Sequence, residues 1–247
     1  MTPTESFISH LIELRSRLLK VVVGFVLVFI CLFPFANQIY SLLAAPMLAK
    51  LPAGAHMIAT AVTTPFFVPM KVAMMAAFVI SLPNTLYQIW AFVAPGLYPA
   101  EKKLMAPVII ASCLLFIVGM SFAYFAVFPV VFGFIVHSAP VGVAVMTDIA
   151  EYLDFVMTLF LAFGTAFEVP IAVVLAVRFG WVTVKQLKEA RGYVIVGAFI
   201  IGAIFTPPDI VSQFMLAVPL WLLFELGLIV AQLTQKKVVT ENKIHAN

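Results

Sequence analysis

The stretch FVMTLFLAFGTAFEVPIAVVLAV, residues 155–177, decides the class of fold. It runs between Asp154 and Arg178 and carries one ionisable side chain, Glu168. A helix of about 20 mostly apolar residues spans the hydrocarbon core of a bilayer, and an apolar run this long with a single ionisable residue reads as such a helix. Glu168 is then well inside the membrane. An ionised carboxylate there costs at least about 2 kcal/mol, so it must face protein, water or a partner. Pro170, two residues on, removes a backbone donor and predicts a kink, which gathers polar atoms at the same depth. The side chain suits a proton relay, an ion ligand or a polar contact with another helix. The plainer alternative is a protonated Glu hydrogen-bonded within the bundle.

The rest of the chain agrees with this class. Of its 247 residues 64% are hydrophobic and only 10% charged, and the mean hydropathy is +1.15. Too little polar surface exists to cover a soluble globule. The 24 Phe and the scarcity of charge exclude disorder. A net charge of +3 without a dense basic face argues against nucleic-acid binding. Six spans are expected, over residues 21–40, 68–90, 104–129, 155–177, 192–205 and 210–233. They make an all-α integral membrane protein with a single polytopic domain, 1–247. With the N-terminus inside, every Lys and Arg except Lys50 and Lys71 lies in an inner segment. The positive-inside rule therefore puts both termini in the cytoplasm.

Several segments depart from plain spans and loops. Leu42–Leu48 reads as a short interfacial helix, and Thr60–Pro69 as extended chain leading into the second span. Thr206-Pro207-Pro208-Asp209 is a stop-and-turn signal. From Arg191 to Thr206 a helix covers only about 24 Å, short of the roughly 30 Å core, so it is sheltered by neighbours or thins the bilayer. Glu225 lies in the last span, near enough to its inner end to snorkel.

Two inner pieces carry carboxylates beside the membrane. In Ser9–Leu19 the spacing of Leu11, Leu14 and Leu18 predicts an amphipathic helix capped by Ser9 and widened by Ile12 and Leu19. Its Glu13 and Arg17 are four apart and can pair internally. Trp90–Lys103 holds Phe92, Pro95-Gly96 and Glu101, and its Pro/Gly content predicts a break in the helix. If the two pieces meet, Glu13 and Glu101 form an acidic patch framed by apolar residues, suited to a cationic, partly apolar peptide. No catalytic motif occurs, so no enzyme is expected. The four His and two Cys lack ligand spacing, so neither metal nor other cofactor is expected.

Four motifs are familiar: SHLIELRSRL at 9–18, FVAPGLY at 92–98 with Glu101, FEVP at 167–170 and TPPD at 206–209. In them the chain resembles the TatC family, the multispanning receptor subunits of the twin-arginine protein translocase, over nearly its whole length. The resemblance implies recognition of twin-arginine signal peptides and export of folded proteins by the proton-motive force across the cell inner membrane. The implied partners are TatA-like and TatB-like single-span subunits, the lipid bilayer and further copies in an oligomeric translocase. It assigns Glu13 and Glu101 to the twin arginines, and Arg15 and Arg17 to the same basic motif. Phe92 becomes an apolar wall for the signal, and Glu168 an intramembrane polar anchor. Pro46 and Asp209 match positions in the first and last outer loops. Two competing classes are a proton-coupled secondary transporter of a small solute, with Glu168 as coupling residue, and a purely structural scaffold. The transporter would need broken helices meeting at a midplane cavity, and the scaffold leaves the three carboxylates without a purpose.

Overall fold

The computed structural model of the chain describes residues 3–49, 56–93, 105–137, 146–205 and 210–244. Every regular element among them is helical. They are α1 (Pro3–Leu32), α2 (Ala36–Leu48), α3 (Thr64–Val93), α4 (Met105–Phe122), α5 (Phe128–His137), α6 (Ile149–Ala166), α7 (Val169–Arg178), α8 (Val184–Glu189), α9 (Arg191–Phe205) and α10 (Ile210–Ile244). Five helical stretches are long and apolar enough to cross a membrane: His10–Leu48, Thr64–Phe92, Met105–Val136, Ile149–Arg178 and Gln213–Thr234. Arg191–Phe205 is apolar but shorter, 15 residues.

The chain packs as two compact units, one of Met1–Cys113 with Ala144–Asp154, the other of Leu114–Val143 with Phe155–Asn247. In the first, α1 and α2 both pack along α3. Three expectations are corrected here. Ser9 does not cap a helix of its own, because α1 runs unbroken through it from Pro3 to Leu32. Residues 42–48 do not form a separate helix: α2 begins at Ala36 and follows α1 through a single 3-10 turn, Phe33–Phe35. Pro34 has no N–H for the carbonyl one turn back, which tightens the turn, and no Gly or Pro interrupts the chain again until Pro46. Nor is 60–69 extended throughout. Helix α3 starts at Thr64, where the Thr63 carbonyl accepts from the amides of Phe66 and Phe67 at 3.1 Å each. Pro65 is in the first turn, where its missing N–H costs nothing.

A clasp between the segment before α3 and the start of α6 ties this unit together. Ile58 forms an isolated parallel bridge with Asp148, through Ile58 N to Thr147 O at 3.0 Å and Ile149 N to Ile58 O at 2.9 Å. Asp148 caps α6, accepting from the Ala150 amide at 2.7 Å on one oxygen. Its other oxygen accepts the Thr60 hydroxyl at 2.6 Å and the Thr60 amide at 2.9 Å. These bonds, the Thr60 hydroxyl first, hold the carboxyl below its usual range, because they favour the ionised form. Nearby, Lys71 Nζ pairs with Asp154 at 2.7 Å, and the Tyr152 hydroxyl donates to the Leu43 carbonyl at 2.6 Å.

The second unit is organised by aromatic rings. Phe128 packs on Phe160 and Phe132 at centroid distances of 5.1 and 5.4 Å, and Phe122 on Phe163 at 5.6 Å. Each such pair adds about 0.5–1.5 kcal/mol beyond the area it buries. A π-helical turn, Ala123–Val127, joins α4 to α5 and buries Ala123 and Val127. Helix α10 packs against α7, α8 and α9. The approach to α7 is close: a Cβ on Gly227 would lie 2.7 Å from the Pro170 Cα.

Candidate functional site

Helix α1 is amphipathic in the inverted sense. Leu11, Ile12, Leu14, Leu18 and Leu19 are 44–64% exposed, whereas Glu13 and Arg17 are half-buried. Lipid tails are as apolar as Leu, so an outward apolar face is stable in a bilayer. The polar stripe is therefore the one free to pack on α3. Two contacts fix this antiparallel seam. Asn84 Nδ2 donates to the Lys20 carbonyl at 3.3 Å, and Gly24, lacking a Cβ, leaves room for that amide. One residue from the end of α3, Phe92 stacks on His10 with ring centroids 4.2 Å apart and an interplanar angle of 23°.

Between these anchors lies the ion pair. Arg17 donates to Glu13 from Nε at 2.9 Å and from Nη2 at 2.5 Å. Both bonds fall on Oε1. A carboxylate accepts up to about four hydrogen bonds, so Glu13 keeps acceptor capacity on Oε2. The structure brings Glu13, Arg17 and Phe92 to one seam and leaves Arg15 exposed on another face. Glu101 and Asp209 lie outside the described residues. Pro46 is half-buried in α2, between the buried Ala44 and Met47.

Glu168 belongs to the second unit. Helix α6 ends at Ala166 and α7 begins at Val169, so Phe167 and Glu168 form a turn inside an apolar 30-residue stretch. Proline supplies no N–H at position 170, and the Glu168 amide shifts to a tighter bond, to Thr165 O at 3.1 Å. The Thr165 hydroxyl donates back to the carbonyls of Leu161 and Ala162 at 2.5 and 3.1 Å. Glu168 is half-buried, and polar backbone is concentrated around it as the sequence predicts.

The hairpin of α9 and α10 is stitched at both ends. Gln213 Nε2 donates to the Phe199 carbonyl at 3.0 Å, and Arg191 Nη2 pairs with Glu225 at 2.7 Å. Glu225, read in the sequence as able to snorkel, has Arg191 as its ion-pair partner. Outward, α9 presents Tyr193, Val196, Ile200 and Ile204, all 56–84% exposed. An apolar groove of about 520 Å³ opens beside the start of α10, between Phe122, Phe214 and Pro219.

Sequence reasoning misses three residues of the seam. His10 has no ligand spacing, and its role is a ring contact visible only once α1 and α3 are paired. Asn84 and Gln88 read merely as a polar end of the second span. Their signal is the spacing of 84, 88 and 92, one helical face shared with Phe92. Among the described residues no group of three or more His, Cys, Asp or Glu could hold a metal ion.

A family model for the Sec-independent protein translocase protein (TatC) matches residues 9–219. The chain is similar to the Sec-independent protein translocase protein TatC of Escherichia coli strain K12, 52% identical over 224 residues that cover 91% of this chain and 87% of that one. The TatC of Haemophilus influenzae strain KW20 is 53% identical over 234 residues, covering 95% and 91%. A crystal structure of a twin-arginine translocase receptor, TatC, superposes with a TM-score of 0.79 at 37% identity, over 92% of this chain and 99% of that one.

Proposed function

Because the chain belongs to the TatC family of Sec-independent protein translocase proteins, we propose that it is the receptor subunit that binds twin-arginine signal peptides and supports export of folded proteins by the proton-motive force. Family membership makes it a multi-pass translocase component and not an enzyme. It also displaces the small-solute transporter as the class of function.

The observation that carries this reading is Glu13 on the α1–α3 seam, half-buried, with Oε2 uncommitted and the His10–Phe92 ring pair a turn away. A guanidinium meets a carboxylate in a planar, bidentate fork, roughly twice as strong as a neutral hydrogen bond, whereas Lys offers a point charge. Glu13 takes one arginine of the signal and Glu101 the other. Phe92 walls the apolar segment that follows. Arg15 and Arg17 belong to the same motif and shape the site rather than bind the signal, Arg17 by holding the Glu13 carboxylate.

Glu168 acts as a polar anchor for a partner helix or an inserted signal. The exposed stripe of α9 fits the apolar face of a single-span partner, and TatA-like and TatB-like subunits dock there in an oligomeric translocase. The 15-residue α9 covers about 22 Å, which favours a thinned bilayer beside it. The bias of Lys and Arg places both termini on the cytoplasmic side of the inner membrane, as a positive-inside protein requires. Asp209 shapes the last outer loop, whereas Pro46, expected in the first, lies inside helix α2 and shapes its end.

The test is export of a folded fluorescent reporter carrying a twin-arginine signal. Glu13→Ala and Glu101→Ala each abolish export and crosslinking to the signal. Normal export with unchanged crosslinking in both variants contradicts the reading.

A further inference from the structure

Gln88 is buried, only 8% exposed, and its Oε1 has no hydrogen-bond partner. A buried acceptor left unmade is costly, and such a group in a folded chain calls for an explanation. Its neighbours on α3 do not share the problem. Asn84 is bonded to Lys20, Ser81 Oγ donates to the Phe78 carbonyl, and Thr85 Oγ1 donates to the Ser81 carbonyl.

Its position supplies the explanation. Asn84 and Phe92 are the two anchors of the seam, and Gln88 lies one turn from each on the same face of α3, about 6 Å along the axis. On α1 the corresponding anchors are Lys20 and His10, and the interval between them holds Arg17 and Glu13. Gln88 therefore stands at the level of the Glu13–Arg17 pair. The pair itself is unusual as a receptor site. Arg17 already holds Oε1 through Nε and Nη2, one of the two oxygens a ligand guanidinium would fork across.

We propose that Arg17 is an internal stand-in for the ligand's arginine and that Gln88 is a further residue of the site: when a ligand arginine takes Glu13, Arg17 moves across the seam and donates to Gln88 Oε1. The proposal rests on the reading of Glu13 given above. A ligand guanidinium forks across both carboxylate oxygens, and Arg17 holds Oε1, so the resident arginine must have somewhere to go. Five donors leave Arg17 ample N–H groups for a second partner. A neutral amide suits the task better than an acid. It solvates the displaced cation without holding it so strongly that Glu13 would stand open to any cation. Exchange of this kind is selective, because a ligand must offer at least as good a fork as Arg17 does, which Lys cannot.

The experiment uses the full chain in lipid nanodiscs and a fluorescent synthetic peptide bearing two consecutive arginines before an apolar segment. Gln88→Leu strands the displaced Arg17 and weakens binding about tenfold, the scale of one hydrogen bond to a charged group. Gln88→Glu draws Arg17 away from Glu13 and tightens binding, so the two variants move in opposite directions, which a mere packing role would not produce. Arg17→Gln removes the competitor and tightens binding about tenfold by the same measure. In that background neither change at position 88 shifts binding more than about twofold, as expected when one residue acts through the other. No effect of Gln88→Leu in the otherwise unaltered chain, or an equal loss in both backgrounds, overturns the exchange. The first would mean that water satisfies Oε1, and the second that Gln88 touches the peptide itself. Binding indifferent to Glu13→Gln would instead remove the site reading, and the exchange with it.

Discussion

Gly227 and Gly197 invite the same substitution with opposite outcomes. Both are helical, in α10 and α9, and Gly→Ala in a helix interior gains about 0.5–1 kcal/mol from backbone entropy. At Gly197 a new Cβ meets nothing within 4 Å. At Gly227 it would lie 2.7 Å from the Pro170 Cα, 3.1 Å from the Val173 Cβ and 3.2 Å from the Pro170 carbonyl oxygen. Ordinary contact begins near 3.4 Å, and the nearest obstacle is backbone that cannot rotate away. Helix α10 must therefore back off α7 by several tenths of an ångström, in a region where Val173, Val177, Phe224 and Ala231 are buried together. Overpacking of this kind costs about 1–3 kcal/mol. Set against the entropic gain, Gly227→Ala should lose about 1–2 kcal/mol while Gly197→Ala gains up to about 1 kcal/mol. Thermal unfolding in one detergent, followed by size-exclusion chromatography, reads both. A Gly227→Ala protein as stable as the Gly197→Ala protein refutes the close α7–α10 approach, and with it the packing that fixes the turn at Glu168.

Other outcomes follow from the clasp of Asp148 on Ile58 and Thr60. Asp148 is held below the usual carboxylate range, so its contribution is complete above that range and is lost as pH falls through the lowered value. A spin label at Ala59→Cys should stay immobile from neutral pH down to about pH 4, the ordinary Asp value, and loosen only below it. Asp148→Asn should loosen it at every pH. Tyr152→Phe leaves the Leu43 carbonyl without its 2.6 Å donor and should cost about 0.5–1.5 kcal/mol in the same unfolding assay. Lys71→Ala should cost less than about 1 kcal/mol, because its pair with Asp154 is largely exposed and screened.

Much of the helical architecture is legible in the sequence because hydropathy reports a one-dimensional property, the length of an uncharged run. The break at Glu168 is equally legible, since Pro170 removes a donor wherever the helix packs. The boundary at Thr64 is not, because Thr63-Thr64-Pro65 suits extended chain and helix start alike, and only the bonds to the Thr63 carbonyl decide it. The join of α1 to α2 is hidden for a similar reason. Pro34 signals an interruption, yet a single 3-10 turn absorbs it. At the candidate site, Glu13, Arg17 and Phe92 stand out by type and motif. His10 and Gln88 acquire meaning only from the pairing of α1 with α3, which depends on a contact between residues more than sixty positions apart. The inverted face of α1 is also illegible from periodicity, which gives the stripe but not the side that meets protein.

The central claim is that Glu13 reads a guanidinium, and its most direct measurement is the ratio of dissociation constants for two synthetic signal peptides, one with paired arginines and one with paired lysines. On the unaltered chain the arginine peptide should bind at least about tenfold more tightly, one charge-assisted fork being worth that much. On Glu13→Gln the ratio should fall towards one while the apolar segment still binds weakly. A ratio that stays unchanged in Glu13→Gln contradicts the claim.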